Sequence, residues 1–237
     1  MKKIIYILSI LLTFSCELGD LQENTGMLSG SYYINQAWEY FQAEDYTTAE
    51  ELFAAPLDSD SREYDKLAYM GLGWTMIYKS KADLSLENSA SRQSMRDSSE
   101  VYFDIAFEKY SEGNDTTATE LELDILYAGL AFSKSYTAFK WQEEYFSEGL
   151  DSQYWDQVVL YSNKVIEYAN SIKDNEFVFP YDDQLDYDVI NFLKVQTYLR
   201  LDDPSSAVVE LNKIDNCGHC TELNIYGCID DCYYGEE

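Results

Sequence analysis

Four of the five cysteines, Cys217, Cys220, Cys228 and Cys232, fall within sixteen residues. Their pattern is Cys-x2-Cys, seven residues, then Cys-x3-Cys. Three chemistries suit such a set. Two disulfides would staple a short tail, each contributing on the order of 2–3 kcal/mol, and four cysteines allow three connectivities. Four thiolates would instead hold a structural zinc ion tetrahedrally, although this gap is short for a zinc ribbon. A reactive dithiol at Cys217-Gly218-His219-Cys220 is the third, and it needs a helix N-terminus to lower the thiol pKa. No strand–helix pattern surrounds these residues. An oxidising compartment favours disulfides over both alternatives, so the address of the chain bears on the choice.

The first sixteen residues carry that address. Lys2 and Lys3 precede an apolar run over residues 4–14, and the small Ser15 stands before Cys16. A basic start, a short apolar stretch and a small residue at the break compose an export signal. The run is too short for an ordinary membrane-spanning helix of about 20 residues. Leu12-Thr13-Phe14-Ser15-Cys16 resembles the lipobox of bacterial lipoproteins. That resemblance implies cleavage after residue 15 and an acylated Cys16 at the new N-terminus, anchored by about 0.8 kcal/mol per buried CH2. Residues 16–29 are polar and aperiodic and read as a flexible tether.

Other chemistry is sparse. One His in 237 residues excludes His-rich metal sites and leaves little room for His-based catalysis. No Gly-rich phosphate loop, nucleophile elbow or His-Glu-x-x-His occurs. Asp182, Asp183, Asp186 and Asp188 form a carboxylate cluster, but Leu193 stands twelfth from Asp182 where a calcium loop needs Glu. The plain reading is a solvated loop leading acids to a helix N-terminus. Paired carboxylates carry no signal in a chain with 44 acids. The reading is therefore non-enzymatic, without a cofactor other than the zinc alternative.

Composition bounds the partners. Sixteen Lys and Arg against 44 Asp and Glu leave a net charge of −28, and removing Lys2 and Lys3 makes it −30. A field of that sign repels nucleic-acid phosphates and anionic lipid. Hydrophobic residues at 46% suffice for a core, and 11 Gly with 3 Pro are few for an all-β protein.

The elements are helices in pairs. Tyr33, Ala37, Tyr40 and Phe41 share one helical face, Ala43-Glu44-Asp45-Tyr46 punctuates, and Ala49, Leu52 and Phe53 open a second face that Pro56 ends. This hairpin resembles a tetratricopeptide repeat. Ala37 and Ala49 take the small positions, Tyr40 and Tyr46 the helix-A and turn aromatics, and Phe53 the helix-B aromatic. Helices approaching to 8–10 Å leave no space for large side chains at the crossing. The pattern returns with Gly73 small in residues 69–74 and Ser99, Phe103, Ala106 and Phe107 in the paired helix. The Ser-rich residues 79–96 between them are an insertion or a helix extension. Ala131 is small in residues 127–132, paired with a helix over 154–171 carrying Trp155, Val158, Ser162, Val165 and Ile166. Phe192, Val195, Tyr198 and Leu199 make the fourth helix A; Ala207, Val208 and Leu211 begin its helix B, with Ser205 or Ser206 as cap and Pro204 at its start. Residues 176–181 read as an extended loop, because Pro180 disfavours a strand.

The expected organisation is a signal peptide (1–15), a tether (16–29), an all-α, TPR-like α-solenoid (30–215) and a Cys-rich tail (216–237). The resemblance implies a membrane-anchored scaffold in the cell envelope, at the outer membrane or in the periplasm, that binds a protein partner and not nucleic acid. The alternative is a surface lipoprotein that captures glycan, similar to the SusD-like family, motivated by dense aromatics such as Tyr32, Tyr33, Trp38 and Tyr40. Replacing Cys16 with Ser is expected to abolish incorporation of labelled fatty acid and to release the protein from the membrane fraction. Retention of both would dismiss the lipobox.

Overall fold

The computed structural model describes residues 29–58, 62–82, 89–112, 118–214, 217 and 220–233. The expected signal segment, Cys16 and all of the tether but residue 29 lie outside them. The described residues are all-α, with no strand. The helices are α1 (Gly30–Gln42), α2 (Tyr46–Ala54) with a 3-10 turn at Ala55–Asp58, α3 (Asp65–Ala82), α4 (Ser89–Glu112), α5 (Glu120–Ser147), α6 (Ser152–Ser171), α7 (Tyr187–Arg200), α8 (Pro204–Leu211) and α9 (Ile225–Tyr233).

Local sequence explains where most of them start. Ser29, Asp45, Thr119, Asp151, Asp186 and Asp203 each accept a hydrogen bond from a backbone N–H in the first turn of α1, α2, α5, α6, α7 and α8. Each satisfies one of the donors a helix start leaves unpaired. Thr119 and Glu122 form a reciprocal capping box. Asp203, not Ser205 or Ser206, caps α8: Pro204 occupies its first turn, so the cap lies one residue earlier. The short turns 43–45, 148–151 and 201–203 fold α1 onto α2, α5 onto α6 and α7 onto α8.

The hairpins then stack. α1–α2, α3–α4, α5–α6 and α7–α8 are the tightest pairs, and α2–α3, α4–α5 and α6–α7 join them in chain order. The odd helices α1, α3, α5 and α7 also touch one another in succession, whereas among the described residues α2, α4, α6 and α8 do not. The odd helices therefore form one layer and the even helices the other.

A shared register underlies that layer. Tyr33, Tyr69, Tyr127 and Tyr187 are each half-buried near the start of an odd helix. Four residues later stand Ala37, Gly73, Ala131 and Asn191, all buried, followed by the aromatics Trp38, Trp74, Phe132 and Phe192. The expected small residues Ala37, Ala49, Gly73, Ala131 and Ala207 all sit in the interior.

The closest approaches lie two residues earlier, at Gly71 and Gly129. The Phe53 ring of α2 fills the space where a Cβ on Gly71 would stand, and the Phe103 ring of α4 does so at Gly129. A Cβ on Gly73 would stand 2.8 Å from the same Phe103 ring. Phe103 is thus clamped between α3 and α5, and its burial contributes on the order of 1.5–3 kcal/mol.

Three details differ from the sequence reading. Tyr40 is 41% exposed, and Trp38 takes the inner position instead. The buried stripe is Ile34, Ala37, Trp38 and Phe41, which is rotated from the expected face. Tyr46 opens α2, and the turn is held by Glu44 at φ 61°. The Cys-rich tail, expected only as a stapled segment, carries α9; Cys217, Cys220, Ile225 and Cys228 share a second apolar cluster with Phe192, Val195, Ala207 and Leu211. Of the Ser-rich stretch, residues 79–82 extend α3 and 89–96 begin α4.

Replacing Gly129 with Ala is expected to cost about 1–3 kcal/mol in urea denaturation, through displacement of Phe103. Gly227→Ala, in α9 with open space around it, should cost nothing and gain up to about 1 kcal/mol. Equal effects at the two sites would refute the clamp.

Candidate functional site

The connection from α6 to α7 is irregular and builds one wall of a cleft. Burial puts the apolar residues of this run where a helix hairpin alone would leave a gap. Phe177, Phe179 and Leu185 are almost fully buried. The Phe179 N–H donates to the Leu185 carbonyl at 2.8 Å, and Val178 bridges Asp186, so the segment is a tight loop rather than a strand. The extended-loop expectation for residues 176–181 matches the absence of a strand there, and the loop plugs the interior with Phe177 and Phe179 while Glu176, Val178 and Pro180 face solvent. The Phe179 ring lies 4.5 Å from Trp74 and 6.1 Å from both Trp38 and Phe41, and Tyr181 stacks on Trp38 at 3.8 Å.

Polar anchors hold the plug. Buried Asp124 of α5 accepts the backbone N–H groups of Lys173 and Asp174 at 3.1 and 3.2 Å. Burial pushes its carboxyl above the ordinary range against those hydrogen bonds. Gln42 donates to the Pro180 carbonyl at 3.3 Å, and Asp186 caps α7.

Between this loop, the end of α1 and α3 lies a cleft of about 600 Å³. Its walls are the aromatic rings of Tyr46, Tyr78 and Tyr181, the carboxylates of Glu44, Asp182 and Asp183, and the amides of Gln42 and Gln184. The Tyr78 hydroxyl donates to Asp182 at 2.5 Å. Burial, then that hydrogen bond and charge, push the Tyr78 phenol far above its usual range, so it stays protonated and serves as a donor, not a base. Lys81 lies over the same ring at 4.7 Å. Burial lowers its pKa, with the Asp182 charge opposing. Chemically the cleft offers aromatic faces with hydrogen-bond acceptors around them.

The four aspartates expected as a cluster are divided. Asp182 serves Tyr78 and the Gln184 N–H, Asp186 serves Val189 N–H, and Asp188 lies in the first turn of α7. Among the described residues no group of His, Cys, Asp or Glu is arranged to hold a metal ion.

In the tail, Cys220 and Cys228 form a disulfide across Cα atoms 5.9 Å apart. Cys217 is disulfide-bonded as well. Cys220 is therefore not paired with Cys217, and the Cys-x2-Cys unit does not close on itself as a redox dithiol would. This geometry fits disulfides over zinc. Asn212 clamps Cys220 through both its backbone N–H and its carbonyl. His219 and the Cys232 side chain lie outside the described residues.

Between α4 and α5, the sequence reading missed a buried cation. Lys134 is 1% exposed and donates to Asp104 at 2.6 Å and Glu100 at 3.0 Å, while Thr137 donates to Glu100. Burial works against its charge, and the two carboxylates outweigh it, holding the ammonium above its ordinary range. The signal was available as a lone Lys within an apolar helical run opposite acids spaced four apart on α4.

No family model, no curated protein and no solved structure matches this chain. The site therefore stands on its geometry. A double-mutant cycle on Tyr78→Phe and Asp182→Asn, read by chemical denaturation, is expected to return a coupling of about 1.5–3 kcal/mol, as for hydrogen bonds to charged groups. A coupling near zero would mean that this bond does not hold the plug.

Proposed function

We propose that this chain is a non-catalytic, lipid-anchored helical scaffold that binds another protein in the bacterial cell envelope, at the outer membrane or in the periplasm. The observation that supports this most is the layering, with odd helices in mutual contact and even helices outside them. With the Tyr-x3-small-aromatic register, it suits a TPR-like solenoid. In such a fold each hairpin buries its core only by stacking on the next, and the exposed faces bind partners. Cys16 carries the lipid in this reading, and residues 16–29 hold the helical body away from the bilayer.

A second reading, glycan capture by a SusD-like surface lipoprotein, is favoured by the cleft. Tyrosine rings beside carboxylates and amides suit sugar faces and hydroxyls.

Crosslinking in intact envelopes distinguishes the two. The scaffold reading expects one protein partner, recovered reproducibly and lost when the protein is detached by Cys16→Ser. Oligosaccharide binding by the purified protein, weakened by Tyr46→Ala, together with no recovered partner, would replace it with the glycan reading.

A further inference from the structure

The α5–α6 hairpin ends in a partly exposed apolar surface, which the Arg200 side chain of α7 reaches at Gln142. Trp141 and Tyr145 face α6, with rings 5.8 Å from Tyr154 and 5.2 Å from Trp155. These contacts close the end of the hairpin and leave the opposite side of α5 open. On that side Phe139 is 45% exposed and Phe146 63% exposed. Seven residues separate them, two helical turns, so they share one face about 10 Å apart at 1.5 Å rise per residue. Leu150, 58% exposed, stands at the turn that follows α5. It is held at φ 67°, a conformation bulky residues rarely adopt, with its N–H bonded to the Tyr145 carbonyl at 2.9 Å. Exposed apolar side chains scattered singly need no explanation, whereas an aligned strip points to a binding surface.

The charge around the strip is mostly acidic. Glu143 stands between the two phenylalanines on their own face, and Glu144, Glu148 and Asp151 border the turn. The nearby cations are engaged: Lys140 pairs with Asp97 at 3.1 Å, and Arg200 donates to Gln142 at 3.2 Å.

We infer that this strip docks an amphipathic helix of a partner protein, whose apolar stripe lies on Phe139, Phe146 and Leu150 and whose flanking Lys or Arg residues meet the acidic border. A two-turn spacing of anchors matches the stripe of such a helix. The acidic border opposes an anionic bilayer and a second copy of the same surface. The inference rests on the scaffold reading and names the chemistry of its partner.

The test uses the purified chain and a synthetic helical peptide with a Leu stripe flanked by Lys, followed by fluorescence anisotropy. Phe139→Ser/Phe146→Ser is expected to weaken binding about tenfold or more, and so is Glu143→Lys/Glu148→Lys; both pairs are exposed, and unchanged thermal unfolding checks the fold. A peptide with Glu in place of Lys should bind the wild type at least tenfold more weakly and should gain on the charge-reversed variant. Equal binding of wild type and the Phe double variant, or of the Lys and Glu peptides, overturns the inference. So does binding to anionic vesicles, or a dimer in sedimentation, that the Phe double variant abolishes. In envelopes, a photo-crosslinker placed at position 146 should capture a segment with apolar residues flanked by Lys or Arg. Capture from position 40 but not 146 overturns this surface and leaves the scaffold reading standing, whereas capture from neither removes both.

Discussion

The Trp74 side chain is fully buried where α3, α4, α5 and the α6–α7 loop meet, and the architecture depends on its contacts. Phe103 reaches it edge-on from α4 at 5.6 Å, Phe132 from α5 at 6.1 Å and Phe179 from the loop at 4.5 Å. Edge and offset geometries are the favourable ones for such rings. The column forms only because Gly73 and Gly129 let Phe103 slide between two helices. With larger residues there, α3 and α5 would part, and the pocket that receives Phe179 would open to water. Helix spacing and loop insertion are therefore one problem of volume, because interiors are packed too densely to absorb an added methyl locally.

The plug also changes what the molecule presents. The rings of Phe179 and Tyr181 occupy the inner side of the first two hairpins. Outside lie, among other features, a polar cleft beside the plug and the exposed phenylalanines at the end of α5. The net charge of −28 leaves many acids without a cation beside them, and several of the few cations are buried or held by local partners. Lys134 and Lys194 are buried, the latter against Glu210 at 2.6 Å. Lys79 pairs with Glu50, and Arg96 lies over Tyr136 at 4.5 Å. Buried pairs of this sort contribute little net stability, since desolvation offsets attraction. Their consequence is electrostatic: the acids left outside face solvent without local compensation, which suits a cationic partner.

Much of the fold was legible from residue types. The helix pairs at 30–54 and 187–211, and the long helices around Gly73 and Ala131, follow from apolar periodicity and from punctuation by Asp, Gly and Pro. On α1, Ala37 and Phe41 match the expected face, but Ile34 and Trp38 are buried in place of Tyr33 and Tyr40, because Tyr40 and Trp38 are both aromatic and periodicity alone does not choose between them. Gly71 and Gly129 were passed over in favour of Gly73 and Ala131. A glycine's role at a crossing appears only once the opposing ring, Phe53 or Phe103, is in place. The cleft was not legible at all, since Glu44, Tyr78 and Asp182 are distant in sequence and meet only through the loop.

By itself, the sequence determined the helical class, the succession of helix pairs, the acidity and the clustering of four cysteines, because these depend on neighbours within a turn or two of the chain. Only the tertiary structure decided that Phe177 and Phe179 turn inward, that Cys220 pairs with Cys228 rather than Cys217, and that Phe139 and Phe146 stay outside. Each of these is a competition for the same interior volume. Its outcome depends on which distant side chains reach that volume with better shape and fewer unpaired polar groups.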